Sequence, residues 1–424
     1  MKKKFTYLCA MAGALCMFTA CSDDDKLPGE SLETKTYTEA DGLTMNLDGE
    51  AVTGQVVTFT PNADSKGSIS IAGAPLDISA IMGGMTPAAY DAATQPVMAF
   101  PTSSVIPGSA TVTFPVNLVG DADNCTFAGT SATDYCTFAY DGNVTNETMT
   151  LNISDVKLKN ISLVGTYKLP DVYVPSEWFE GEFELAPFNV VRAIWNAEKG
   201  LPMSPDYEMP ASSLLGVVFA MPVIDVGTEA DVTIPEALYN VLKTVTFCED
   251  GNITAEYVDV ENLTGTAVKS PKGLARYVVV DDNTIRVFLD PAAIIRATMA
   301  NESKSSRALD INSLIEGLMT NVVPMLANGV PVHYGQAYTD VVGTVNENEA
   351  VRSFYLGTET LLPILKLAVP VLQDEETVNS IVESIAKDDE ASAQMLRGML
   401  ASLPDIINTT TTLEIGINLE KTTK

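Results

Sequence analysis

From residue 37 to about 160 the chain alternates apolar and polar side chains with a period of two. In Ala110-Thr111-Val112-Thr113-Phe114-Pro115-Val116-Asn117-Leu118 the apolar residues fall on one face and Thr111, Thr113 and Asn117 on the other, as in a half-buried β-strand. Pro115 has no N–H for the ladder and predicts an edge strand or a bulge. The same alternation predicts strands at 43–47, 55–60, 68–72, 124–129, 134–140 and 148–158. In the last, Met149, Leu151 and Ile153 share a face but Val156 and Leu158 are offset by one. A β-bulge at Ser154-Asp155 explains the offset. Segment 73–108, rich in Ala, Pro, Met and Gly, is a long excursion with a short helix expected near 87–93.

After Ile161 the texture changes. An opening strand is expected at 161–169 and a helix at 190–199, where Val191, Ile194, Trp195 and Glu198 fall at helical spacing and put Trp195 in a core. A short helix at 235–243 leads into the hairpin TVTFCEDGNITAEYV, with its turn at Glu249-Asp250-Gly251-Asn252. A second hairpin, ARYVVVDDNTIRVFLD, bends at Asp281-Asp282-Asn283. Residues 291–403 read as helices, with Asp310 as a cap and the acidic runs at 374–376 and 388–390 where the helix dipole favours negative charge. YLGTETLLPILKLAVPVL is apolar, yet Glu359, Lys366, Pro363 and Pro370 suit it to packing rather than to a membrane. Leu413, Ile415, Ile417 and Leu419 then alternate with polar residues in a closing strand. The expected fold is mainly β with an α+β second half. Residues 37–160 form an antiparallel sandwich or barrel-like domain, and 161–424 an antiparallel barrel with a helical insertion at about 291–403.

The N-terminus sets a location. Lys2, Lys3 and Lys4 precede an apolar run from Phe5 to Ala20, too short and wrongly flanked for a spanning helix but suited to a secretory signal. Phe18-Thr19-Ala20-Cys21 resembles the lipobox of bacterial lipoproteins, in which the cysteine is acylated and the chain is cut before it. Ordinary cleavage after Ala14 is the other reading. Acyl chains at ~0.8 kcal/mol per buried CH₂ would hold Cys21 at a membrane. Ser22, Asp23, Asp24 and Asp25 begin an acidic tether (21–36) and resemble the surface-export signal of Bacteroidetes outer-membrane lipoproteins; a solvated linker is the plainer account. Removal of residues 1–20 leaves 22 basic against 55 acidic residues. A body so negative repels nucleic acid, leaving the lipid anchor and a small molecule or glycan as the expected partners.

Cys125 and Cys136 sit on the arms of CTFAGTSATDYC. With Thr130-Ser131 at the tip they would lie opposite each other, at a separation that suits a disulfide; two small buried thiols are the alternative. Cys248 reads as a small buried hydrophobe.

The strand opening at Gly165-Thr166-Tyr167, the meandering hairpins and the closing strand at 412–420 resemble calycin-like (lipocalin-like) barrels. VTFCEDGNITAEY and NCTFAGTSATDYCTFAYDGNVTNETMTLNISDVKL are similar to segments of an uncharacterised family of two-domain Bacteroidetes outer-membrane lipoproteins. That resemblance spans 30–424 and implies a fold and a cell-surface location, with no activity attached.

Candidate chemistry is sparse. His333 is the one histidine in 424 residues, so His-based zinc sites and His-dependent triads lack a second member. No Gly-x-Ser-x-Gly, P-loop, His-Glu-x-x-His or Cys-x-x-Cys motif occurs, and no cofactor or metal is expected. Trp178, Phe179 and Glu180, in Glu177-Trp178-Phe179-Glu180-Gly181-Glu182, could line a sugar cleft or a glycosidase-type carboxylate pair; an amphipathic strand with an acidic outer face is the plainer account. Gly120-Asp121-Ala122-Asp123-Asn124 faintly resembles a calcium loop but reads as a strand connection. The expected function is a non-enzymatic, surface-anchored binding module for a small apolar or glycan ligand, the helices lying over a barrel. A structural or adhesive subunit and an Asp/Glu glycoside hydrolase are the alternatives.

Overall fold

The computed structural model describes residues 26–77, 99–100, 102–170, 173–175, 183–185, 187–204, 206–224, 231–259, 265–290, 323–340, 342–386 and 390–422. The helix expected near 87–93 lies outside them.

Apart from the short pair Leu76–Asp77 with Ala99–Phe100, ten strands of the first half make two sheets. One has the order β1 (Lys35–Tyr37), β4 (Gln55–Asn62), β5 (Lys66–Gly73), β6 (Thr111–Asn117). The other runs β3 (Glu50–Ala51), β2 (Leu43–Leu47), β10 (Met149–Leu158), β9 (Cys136–Thr145), β8 (Asn124–Ala132), β7 (Val119–Gly120). Their apolar faces meet: Phe114 of β6 packs edge-on to Phe138 of β9 at 5.3 Å and lies 4.7 Å from Tyr140. The pairings are antiparallel except β2 with β10, which is parallel because the chain reaches β10 only after crossing through the opposite sheet. Pro115 sits on β6, an edge strand, as its missing N–H requires, and its carbonyl accepts from Tyr140 Oη at 3.0 Å.

The bulge in β10 is where the offset placed it. Ala139 pairs with Ser154 but Thr137 with Lys157, so one extra residue keeps Ile153, Val156 and Leu158 all buried. Asp155 takes φ 52°, and its N–H donates to Asp48 Oδ1 at 3.1 Å. A β-branched side chain tolerates that conformation poorly. Asp155→Val is expected to cost about 1–2 kcal/mol, read as a lower urea midpoint, whereas Asp155→Gly should be near neutral.

The cysteine hairpin has a different register from the one expected. Thr133 Oγ1 accepts from the N–H groups of Tyr135 (3.2 Å) and Cys136 (3.1 Å), moving the turn to residues 133–136 and lengthening both arms. Cys125 therefore faces Val144, and Cys136 faces Leu158 on the other side of β9. Both are free buried thiols, not a disulfide. Burial first, then Asp121 and Asp123, pushes the Cys125 thiol up to about 11, so it stays protonated at neutral pH.

The second half is a closed eight-stranded antiparallel barrel. In chain order its strands are β11 (Gly165–Lys168), β13 (Leu242–Phe247), β14 (Asn252–Tyr257), β15 (Ala275–Val279), β16 (Thr284–Leu289), β17 (Val330–Gln336), β18 (Val351–Leu356) and β19 (Thr410–Lys421). Each pairs with the next, and β19 returns to β11 through Tyr167↔Lys421 and Lys168↔Glu420. The same edge of β19, earlier along its length, carries an extra strand, β12 (Val191–Ala197), outside the ring.

Two expectations are corrected here. Residues 191–197 are strand, not helix: Val191 to Trp195 are buried on both faces, so helical spacing in so short an apolar run has no discriminating power. The block 291–403 is not continuously helical, because β17 and β18 interrupt it. Its two strands are short apolar runs beside longer helical ones, which masks them in the sequence.

The barrel interior is filled by rings. Phe247 lies 5.4 Å from Tyr167, 5.0 Å from Tyr277 and 5.2 Å from Phe354, and Tyr334 stacks 6.0 Å from Phe354. These residues come from five strands, and all are buried. Eight strands give an interior just wide enough for side chains to fill or for one small ligand; here side chains fill it. The same apolar core runs on into the sandwich. At the junction Leu158 N–H donates to Glu249 O at 2.9 Å. Gly251 turns there with φ 83°, and a Cβ on it would meet Pro107 at 2.9 Å.

The helices α1 (Ala211–Ala220), α2 (Ile234–Val241), α3 (Thr358–Leu367), α4 (Val369–Leu372), α5 (Glu375–Ala386) and α6 (Glu390–Asn408) follow. Thr233 and Glu236 form a capping box on α2, which matches the expected helix at 235–243. A second apolar core, including Trp195, Leu214, Leu215, Phe219, Ile406, Ile407 and Leu413, packs α1, α3 and α6 on the outside of β12 and β19.

A candidate apolar cleft outside the barrel

That second core leaves space. A cleft of about 370 Å³, open on one side, lies between β12, β19, α1 and α3. Trp195, Leu413 and Ile415 line it from the strands; Leu215, Leu361, Ile364, Leu365, Leu367 and Ala368 line it from the helices and the end of α3. Leu361, Ile364, Leu365 and Ala368 follow the i, i+3, i+4, i+7 spacing of one helix face. Trp195 Nε1 donates to Thr410 Oγ1 at 2.9 Å, so the indole's polar atom is satisfied and its ring faces remain apolar.

The floor is rigidly built. Thr358, at the start of α3, accepts from Leu413 N–H at 2.8 Å and donates to Leu413 O at 3.2 Å, pinning the helix to β19. Glu359 in the same turn takes His333 Nε2 at 2.6 Å. Beside it, Arg192 is buried and donates through Nε (2.9 Å) and Nη2 (2.6 Å) to Glu414, and through Nη1 to Gln336 O at 3.0 Å. Its guanidinium lies between Tyr338, at 4.2 Å, and Tyr355, at 3.9 Å. Burial raises the Tyr355 hydroxyl pKa, with Arg192 acting against it, so the phenol stays protonated.

A second cleft, of about 310 Å³, is polar. It lies at the rim beside β17 and β18, where Asp282, Gln336, Asn346, Asn348, Glu349 and Arg352 line it. It gathers two exposed carboxylates, Asp282 and Glu349.

The residues singled out in the sequence fare unevenly. Cys21, Ser22, Asp23, Asp24 and Asp25 lie outside the described residues, as do Trp178, Phe179 and Glu180. His333 lies within β17, the strand that follows the short helix Val323–Asn328, and its Nε2 holds Glu359 of α3 to the barrel. Gly120-Asp121-Ala122-Asp123-Asn124 is the tight link between β7 and β8, with Asp121 N–H donating to Asn124 O at 3.0 Å. Among the described residues no group of three metal-ligating side chains converges, and no helix is long and apolar enough to cross a membrane. Trp195 is core, as its apolar neighbours imply, and is also a cleft wall. Residues 361–368 belong to the apolar stretch expected to pack inside the protein, and no local signal ties them to Trp195 or to Leu413 and Ile415. Compared with protein-family models, with curated proteins and with solved structures, the chain matches none of them.

Proposed function

We propose that the chain is an envelope-anchored, non-enzymatic binding module that takes a small apolar ligand in the cleft between α3 and β12–β19. The observation that carries this is the contrast between the two spaces. The barrel is filled by aromatic rings, whereas the outer cleft is open and lined by apolar side chains on rigid elements. Its volume lies in the range of small-ligand pockets. A lining whose one polar side-chain group, Trp195 Nε1–H, is already bonded to Thr410 suits an acyl, prenyl or similar hydrocarbon group and leaves a sugar's hydroxyls unpaired. The closed meander of eight strands supports kinship with calycins. The lipobox-like Phe18-Thr19-Ala20-Cys21 supports lipidation and an outer-membrane, surface-exposed setting.

The binding test uses the fluorescent probe N-phenyl-1-naphthylamine. Saturable binding is expected to weaken at least tenfold in Ile415→Arg, whose new charge stands in the cleft at an already exposed position. Equal binding by both proteins rejects the cleft as the site. Intact-mass analysis of protein from its native host tests the anchor, and an unmodified Cys21 rejects it.

A further inference from the structure

Arg276 presents a different problem. It lies on β15 at the junction with the sandwich, and its side chain is buried, 7% exposed. Among the described residues its Nε–H has no hydrogen-bond acceptor. Among the described residues the ion pairs are Arg192–Glu414, Lys272–Asp250 and His333–Glu359, and Arg276 belongs to none of them. Burial lowers its pKa, with Asp290 and Asp250 acting in the opposite direction; a guanidinium is so basic that it remains charged. Asp250 is engaged elsewhere, by Lys272 at 2.5 Å and by Asn252 N–H at 2.9 Å. A buried cation with an open donor is costly unless something polar occupies the space beside it.

That space exists. A niche of about 80 Å³ has Arg276, Leu289 and Asp290 on the barrel side and Gln55, Thr102 and Ser103 among its residues on the sandwich side. It is ample for more than one water and too small for a drug-sized molecule. The neighbouring polar groups are largely engaged. Gln55 accepts from Val105 N–H (2.9 Å) and donates to Gly54 O (3.1 Å), and Thr102 donates to Ala74 O at 2.8 Å. Asp290 on the rim disfavours a dianion but tolerates a single charge shared with the guanidinium.

We propose that this niche is a binding site for a small monocarboxylate, held by Arg276 and enclosed between the two halves of the chain. A planar carboxylate matches the guanidinium fork and supplies the acceptor that Nε–H lacks. Because its walls come from both the sandwich and the barrel, an occupant fastens one to the other, and occupancy raises the stability of the whole chain.

The test is thermal unfolding and ¹³C-acetate NMR line broadening of the full-length protein, at constant ionic strength in sodium salts. Acetate is expected to raise the melting temperature saturably, with chloride and the neutral isostere acetamide giving no saturable effect. Arg276→Gln should weaken acetate binding at least tenfold. If that variant fails to fold, Ser103→Leu fills the niche from the sandwich side and is expected to abolish acetate binding by the same two measurements. Absence of acetate-specific binding to the wild type overturns the proposal, leaving water as the occupant. So does acetate binding that survives either substitution, which places the anion elsewhere.

Discussion

Arg192→Met is expected to destabilise the protein by about 3–5 kcal/mol, measured by urea unfolding at neutral pH. The methionine keeps much of the volume but removes the cation between Tyr338 and Tyr355 and the donors to Glu414 and Gln336 O. Glu414 is left with its carboxylate largely buried, 21% exposed, and without its partner. The penalty comes from that stranded charge more than from the lost attraction. The double variant Arg192→Met, Glu414→Leu is accordingly expected to recover most of the loss, since apolar replacement of a whole buried pair is often neutral. A double variant no more stable than the single one would show that the guanidinium's stacking on the tyrosines is the larger contribution.

The second large effect concerns the barrel interior. Phe247→Ala removes the ring that Tyr167, Tyr277 and Phe354 all touch, and is expected to cost about 3–5 kcal/mol. Part of that cost is transfer free energy and part is the void left where neighbours cannot collapse. The void should be apolar and dry, and an apolar probe such as benzene is expected to stabilise the variant while leaving the wild type unchanged. If benzene stabilises the wild type equally, the interior already has room and the filled-barrel description is wrong.

Much of the β architecture was legible because a strand with one buried face advertises itself at period two. Strand 43–47, the edge position of Pro115, the bulge at Ser154-Asp155, both hairpin turns after 241 and the closing strand were all read from local signals. Signals that depend on distant partners were not. Strand 191–197 is buried on both faces, so its alternation is erased and its apolar residues fall equally well at helical spacing. The cysteine hairpin looked symmetric about Thr130-Ser131, but two hydrogen bonds to Thr133 Oγ1 decide where the chain turns. The cleft was half legible: the apolar stretch that holds 361–368 reads as packing, yet nothing local says that it faces Trp195, more than 160 residues earlier. Arg276 lies in a hairpin strand, and nothing local marks it as buried beside the sandwich residues Gln55, Thr102 and Ser103.

The claim on which the functional account rests is that apolar ligands enter the cleft between α3 and β12–β19 and leave the barrel interior untouched. Trp195 forms one wall of that cleft, and the chain has two tryptophans. A Trp178→Phe background therefore isolates its fluorescence. Titration with a fatty acid brominated along its chain should quench Trp195 saturably, because bromine quenches at near-contact range, and the unbrominated acid should reverse the quenching by competition. Saturable binding of the same acid by calorimetry with no change in Trp195 emission would contradict the account.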